Sequence, residues 1–278
     1  MTARLMTYPQ YRALPPVDVP VRYGIATPDW RLWYVGTEHS CDPAHPELAI
    51  LRQDWKHFVE ATREERPLAL SEGGVRPLAG SAEEAVRQFA EPGLLRWLGH
   101  LDSIPVRCAE PTYESQIRFA LRHYRADDVA HWHLIRHVWS HQSSGSHREI
   151  GRYMDDQIDW LRRHLPTDVS LDSIAETHQR ITGIGFDPAD HDTLYALANP
   201  VQNSTVTNRI ERRVTGERDR AVVRAVRRYQ SQGRSVFIVY GCTHAVMQRP
   251  VLESLGASID DPAALRKTDL IASTALGI

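Results

Sequence analysis

Along the chain, short apolar runs alternate with stretches whose apolar residues recur every three or four positions. The first clear run is RLWYVG, ending at Gly36 and followed by the loop TEHSC. Asp42 and Pro43 then offer an N-cap and a first-turn proline. Leu48, Leu51, Trp55, Phe58 and Thr62 follow at helical spacing on one face. PLALSEGG predicts a second buried strand, stopped by Gly73 and Gly74. Helical patterns around 81–102 lead to a third, IPVRCAEP, which ends at Glu110 and Pro111. Strands alternating with helices in this way predict an α/β fold: a central, mostly parallel or mixed sheet flanked by helices.

Residues 113–199 carry helical patterns and no comparable strand, and read as a helical insertion or cap within a single α/β domain spanning 1–278. After Ser204, Ile210, Val214, Val222, Ala225 and Tyr229 lie roughly on one stripe of a long helix that Gly233 ends. The last clear strand, SVFIVYG, runs into GCTHAVMQRPVLESLG. There Pro250 predicts a short helix followed by a fresh start. The first thirty residues, with Pro9, Pro15, Pro16, Pro20 and Pro28, read as an irregular segment wrapped on the body.

In an open α/β sheet, ligands gather beyond the carboxyl ends of parallel strands. That rule selects His39 after RLWYVG, Glu72 after PLAL, Glu110 after IPVRC and His244 after SVFIVY. A glycine at the strand end permits a sharp turn that aims each histidine inward. A lone histidine after a strand often just caps a turn, but the same Gly-x-x-His arrangement after two strong strands favours a shared site. Two imidazoles and a carboxylate suit Zn²⁺, Mn²⁺ or Co²⁺, whose open position would activate water. The same set also works without metal, one histidine serving as general base while the other polarises the carbonyl or protonates the leaving group. The sequence leaves both open.

Other residues carry competing readings. His133, His137 and His141 share one helix face, and an i,i+4 His pair can ligate metal, but HLIRH lacks the internal Glu of the zincin motif. His133 and His137 therefore read as half-exposed groups or as cap residues touching substrate. Tyr113 and Arg118, just beyond Glu110, are candidates for the same rim. Cys41 and Cys242 lie two residues from His39 and His244. Packing is their default role, although a helix N-terminus and an imidazolium would suit Cys242 as a thiolate.

Composition narrows the class without naming a ligand. In 278 residues, 42% hydrophobic and 24% charged with a net charge of −2, there is enough apolar material for a packed core and no bias toward polyanions. The arginines from Arg209 to Arg228 wind around their helix and are interrupted by Glu211, Glu217 and Asp219, which argues against a nucleic-acid face. MTARLMTYPQ lacks the apolar core of a signal peptide, and no apolar run nears the roughly 20 residues of a membrane span. With three cysteines and no disulfide pattern, a cytoplasmic location is expected, with a small-molecule or peptide substrate and neither nucleic acid nor membrane as partner. The oligomeric state is not written in the sequence.

GTEH, the Glu at the end of the next strand, and an Arg-containing helix leading through VFIVYG to GCTH and Pro250 resemble the Tiki/TraB superfamily, which includes erythromycin-esterase-like and ChaN-like proteins. The likeness runs from about Trp33 to Leu255. It implies a two-histidine acidic site that serves in different branches as a metal-dependent peptidase, a lactone-opening esterase or a haem site, with His39, Glu72 and His244 at the matching positions. Asp219 stands where the family's Glu-Arg-Asn stretch has Asn, which casts doubt on a role for Asp219 and leaves Arg218 as the oxyanion or substrate-carboxylate contact. The resemblance thus implies a hydrolase acting on an ester, lactone or amide (peptide) carbonyl, with a divalent metal. The alternative is a non-catalytic haem- or metal-binding protein built on the same histidines.

Overall fold

The computed structural model describes residues 4–145 and 148–260. The chain forms two compact units: Met1–Glu110 with Asp219–Ile278, and Pro111–Arg218. The first holds the sheet. Its elements are α1 (Tyr8–Arg12), β1 (Val21–Thr27), β2 (Trp30–Thr37), α2 (Pro46–Ala61), β3 (Leu68–Ser71), α3 (Ala82–Leu101) and β4 (Val106–Arg107). The second contains α4 (Tyr113–Leu121), α5 (Ala126–Ser143), α6 (Ile150–His164), α7 (Leu171–Thr182) and α8 (His191–Ala198). Next comes α9 (Val206–Ser231), whose residues from Asp219 onward belong to the sheet unit, followed by β5 (Val236–Gly241), α10 (Cys242–Leu252) and β6 (Ala257–Ile259).

The sheet is mixed, in the order β4-β3-β5-β2-β1-β6. β4, β3, β5 and β2 run parallel, while β1 is antiparallel to both β2 and β6. The expected α/β class is therefore present. Period-two alternation divides the strand residues between two cores. Tyr23, Leu32, Tyr34, Leu70, Ile238 and Tyr240 pack with Val222, Val226 and Val251 from α9 and α10. Trp33, Val35, Ala69, Phe237 and Val239 pack with Leu51, Trp55, Phe58 and Leu94 from α2 and α3. Helices thus cover both faces, so the central strands read as unbroken apolar runs.

Several local expectations need correction. The leading segment is not irregular throughout: Val21–Thr27 pairs along its full length with β2, across a turn at Pro28 and Asp29. Proline presets φ for the first turn position and Asp suits the second. α2 starts at Pro46, with His45 as N-cap, because Asp42 closes a turn of its own by accepting the Ala44 N–H at 2.9 Å. α10 is continuous through Pro250. A proline so near the end forfeits one backbone bond while Val251 and Leu252 reach the core. In α3, Phe89 and Ala90 leave helical geometry, and Ala90 has a φ of 53°. The chain crosses itself there so tightly that a Cβ on Gly93 would lie 2.2 Å from the Ala85 carbonyl oxygen.

The expected helical stretch 113–199 lies within the second unit, whose own core joins Ile117, Trp132, Leu134, Ile158, Leu161, Leu194 and Ile210. Among the described residues no helix is long and apolar enough to cross a membrane.

At Gly36, β2 and α10 approach closely. A Cβ there would sit 2.6 Å from Ala245 Cβ and 3.0 Å from the Cys242 Cα. Gly36→Ala is expected to lower stability by about 1–3 kcal/mol, the range for overpacking, and to shift α10; denaturant midpoints of the two proteins check this.

Candidate active site

Three neighbouring strands deliver the central residues. In register, Thr37 of β2 lies opposite Gly241 of β5, and Ser71 of β3 opposite Val239. Because the strands are parallel, the residues that follow them, His39, Glu72 and Cys242–His244, leave the sheet at one rim. His39 and His244 come together across Glu72. His39 Nε2 lies 3.4 Å from Glu72 Oε2, and His244 Nε2 lies 3.4 Å from Glu72 Oε1. Glu72 Oε2 also accepts the Gly241 N–H at 2.7 Å, which fixes the carboxylate to the end of β5.

Each ring is held on its other side by a buried carboxylate. His39 Nδ1 donates to Glu91 Oε1 in a short contact, and the same oxygen accepts the Thr37 hydroxyl at 2.9 Å. His244 Nδ1 donates to Asp219 Oδ1 at 2.6 Å, where Gln248 Nε2 also donates at 2.7 Å. The result is an alternating series: Glu91, His39, Glu72, His244, Asp219. The Nδ1 contacts are tight, whereas 3.4 Å is long for a strong hydrogen bond and leaves both Nε2–H groups loosely engaged.

Charge follows from this arrangement. Burial alone would lower the pKa of His244, but the Asp219 and Glu72 carboxylates outweigh it and push it up to about 10. His39 is also raised well above the ordinary histidine value, burial being overcome by Glu91 and then Glu72. Both shifts favour the protonated ring, and an imidazolium has no lone pair with which to act as a base. His39 is the accessible member, its side chain 41% exposed against 9% for His244.

The glycines of the two motifs serve close approach, not a left-handed turn. A Cβ on Gly241 would stand 2.8 Å from His39 Nε2, and neither Gly36 nor Gly241 has a positive φ. The strained backbone belongs to His39 itself, at φ 69°. A non-glycine residue in that region stores energy that its surroundings must offset.

Sequence reasoning missed Glu91 and discounted Asp219. The trace of Glu91 in the sequence is Glu91-Pro92-Gly93, a helix breaker inside an otherwise helical pattern. Asp219 is the anchor of His244. Arg218, one residue earlier and about 100° around the helix, is buried. Glu110 supports the loop after Glu72 by accepting the Gly73 N–H at 3.3 Å. Cys41, Cys108 and Cys242 form no disulfide among the described residues. Burial pushes the Cys242 pKa up despite the nearby His39 charge, so it lacks the depressed value a thiolate nucleophile needs.

The remaining candidates make contacts inside the helical unit. Tyr113 meets the His137 ring edge-on at 5.2 Å, and the His133 and His137 rings lie 4.2 Å apart. His133 stacks on Trp160 at 4.9 Å and bonds to Gln157, with burial taking its pKa down to about 3. His137 Nδ1 pairs with the Tyr153 hydroxyl. Arg118 is exposed beside Glu114 at 3.5 Å.

Imidazole and carboxylate are the donor types that Zn²⁺, Mn²⁺ and Co²⁺ accept. Among the described residues, however, no three His, Cys, Asp or Glu side chains form a group able to hold an ion. The two Nε2 atoms address opposite oxygens of Glu72, and both Nδ1 atoms are occupied. The arrangement does not fit the expected metal. Comparison with family models, curated proteins and solved structures found no match.

The His244 shift has a consequence for stability. Its pKa is near 6.5 when unperturbed and about 10 in the fold. The stabilisation is therefore complete below pH 6.5 and lost as pH rises toward 10. The denaturant midpoint is expected to fall between pH 7 and pH 10, and to fall less in His244→Gln; equal declines would contradict the assignment.

Proposed function

We propose that the protein is a hydrolase that directs water at an ester, lactone or amide carbonyl, using His39, Glu72 and His244. The observation that carries this reading is the single carboxylate shared by two imidazolium rings, each braced from behind by a buried acid. The resemblance to the Tiki/TraB superfamily, in particular its lactone-opening esterase branch, points the same way.

The roles follow from charge. Glu72, an acceptor between two cations, takes a proton from water as the water oxygen bonds to the carbonyl carbon. The His39 Nε2–H, loosely held and accessible, turns to the developing oxyanion and protonates the leaving oxygen or nitrogen as its bond to carbon breaks. Glu72 then returns its proton to His39 across their 3.4 Å gap. His244 remains charged and keeps Glu72 ionised between turnovers. Glu91 and Asp219 are positioning residues that hold the rings in orientation and protonation state.

The test is hydrolysis of p-nitrophenyl acetate, a simple lactone and a peptide anilide. On whichever is turned over, His39→Ala and His244→Ala are expected to cut kcat at least about 100-fold, the lower end for a lost acid or base, with an unchanged circular dichroism spectrum. Unaltered turnover in either variant removes the proposal.

A pH profile separates acid from base roles. Because the rings work in their protonated form, kcat/KM is expected to hold through neutral pH and fall toward pH 10. Asp219→Asn, by withdrawing the charge that raises His244, is expected to move that fall to lower pH. Activity that instead rises through pH 6–7 would assign a histidine as the base.

A further inference from the structure

The opposite end of the same strands carries a second feature. A cavity of about 630 Å³ is bounded by the end of α2, the turn after α3 and the residues leading into β3, β4 and β5. This is the amino-terminal rim of the parallel strands, separated from His39 and His244 by the length of β5, whose six residues span roughly 20 Å. Val59 and Ile104 give the cavity apolar wall, and Arg63, Arg66 and Arg234 give it charge.

Both acids on the wall are already engaged. Glu65 is tied to Arg31 and to the Ser235 hydroxyl, and Asp102 accepts the Trp55 indole N–H at 2.6 Å. The guanidiniums are not so matched. Arg234 donates to the carbonyl oxygens of Arg66 and Pro67 at 3.1 and 3.4 Å and lies over the Tyr229 ring at 5.7 Å, contacts that place it without supplying a carboxylate. Burial, then the neighbouring Arg107 and Arg66 charges, hold its pKa below the usual arginine range. Arg63 and Arg66 are exposed and have no acidic partner among the described residues. Like charges gathered around a concave, partly apolar space gain from an anion placed among them. Arginine answers phosphate oxygens with paired N–H groups, and the volume falls within the range of about 300–1,000 Å³ typical of small-molecule sites.

We propose that this cavity binds a small organic molecule bearing a phosphate or pyrophosphate group, its anionic end held by Arg63, Arg66 and Arg234 and its apolar part resting on Val59 and Ile104. The site is separate from the hydrolytic centre and does not depend on it. Isothermal titration of the full chain with ADP and with inorganic pyrophosphate at low salt tests this. Saturable binding of one equivalent is expected, weakened at least tenfold in Arg63→Ala/Arg66→Ala and unchanged in His39→Ala. Both arginine side chains are exposed, so the double variant should keep its fold, which its thermal melt verifies. The absence of saturable heat with either compound overturns the proposal, as does equal affinity in the double variant. Loss of binding in His39→Ala also overturns it, by placing the ligand at the other rim.

Discussion

A charged His244 packed at the sheet end cannot persist unless negative charge is brought to it, since an unmatched buried ion costs several kcal/mol, and the half-exposed His39 beside it is met by carboxylates in the same way. The carboxyl rim of the sheet unit is organised around that requirement. Glu91 comes from the kink in α3, Glu72 from the end of β3 and Asp219 from α9, while the rings stand on the loop after β2 and the first turn of α10. No two neighbours in this series are close in sequence. The charge pattern therefore exists only when the sheet is complete, and β5, lying between β2 and β3, sets its spacing.

Close backbone approach is what allows so small a separation. Gly36 lets α10 lie against β2, and Gly241 leaves room for the His39 ring beside the start of that helix. Three non-glycine residues among those described have positive φ: His39 and Ala90, the latter next to Glu91, and Ser103 in the turn after α3. The first two each aim a member of the same ion pair. This agrees with the general tendency of backbone strain to collect where side-chain direction matters more than local comfort.

The parts legible in the sequence were those whose information is local. β2, β5 and α2 show as apolar runs or as Leu48, Leu51, Trp55 and Phe58 on one stripe, and all four of those side chains are buried. β1 was hidden because it is buried on both faces, contains Gly24 and follows Pro20, so it offers no alternation. His39, Glu72 and His244 could be found because each follows a strand end. Glu91 could not, because it is 52 residues from His39 within a helical pattern and acquires meaning only through the kink. The His133 and His137 spacing correctly indicated one helix face, yet their partners Gln157 and Tyr153 come from α6, which no periodicity on α5 reveals.

Asp219 shows how one carboxylate can decide the charge of a ring. An amide at that position would still orient His244, but it would add no charge, and burial would then favour a neutral ring. With a carboxylate the protonated ring is favoured, and Glu72 is the carboxylate that lies between the two rings. Glu91 does the same for His39. The outer pair of carboxylates thus favours the charged form of both rings. The same charges also tie the fold to pH, since raising pH through the His244 pKa removes a cation from between Asp219 and Glu72. The buried Asp219 and the half-buried Glu72 then face each other across a neutral ring, an arrangement that weakens the fold.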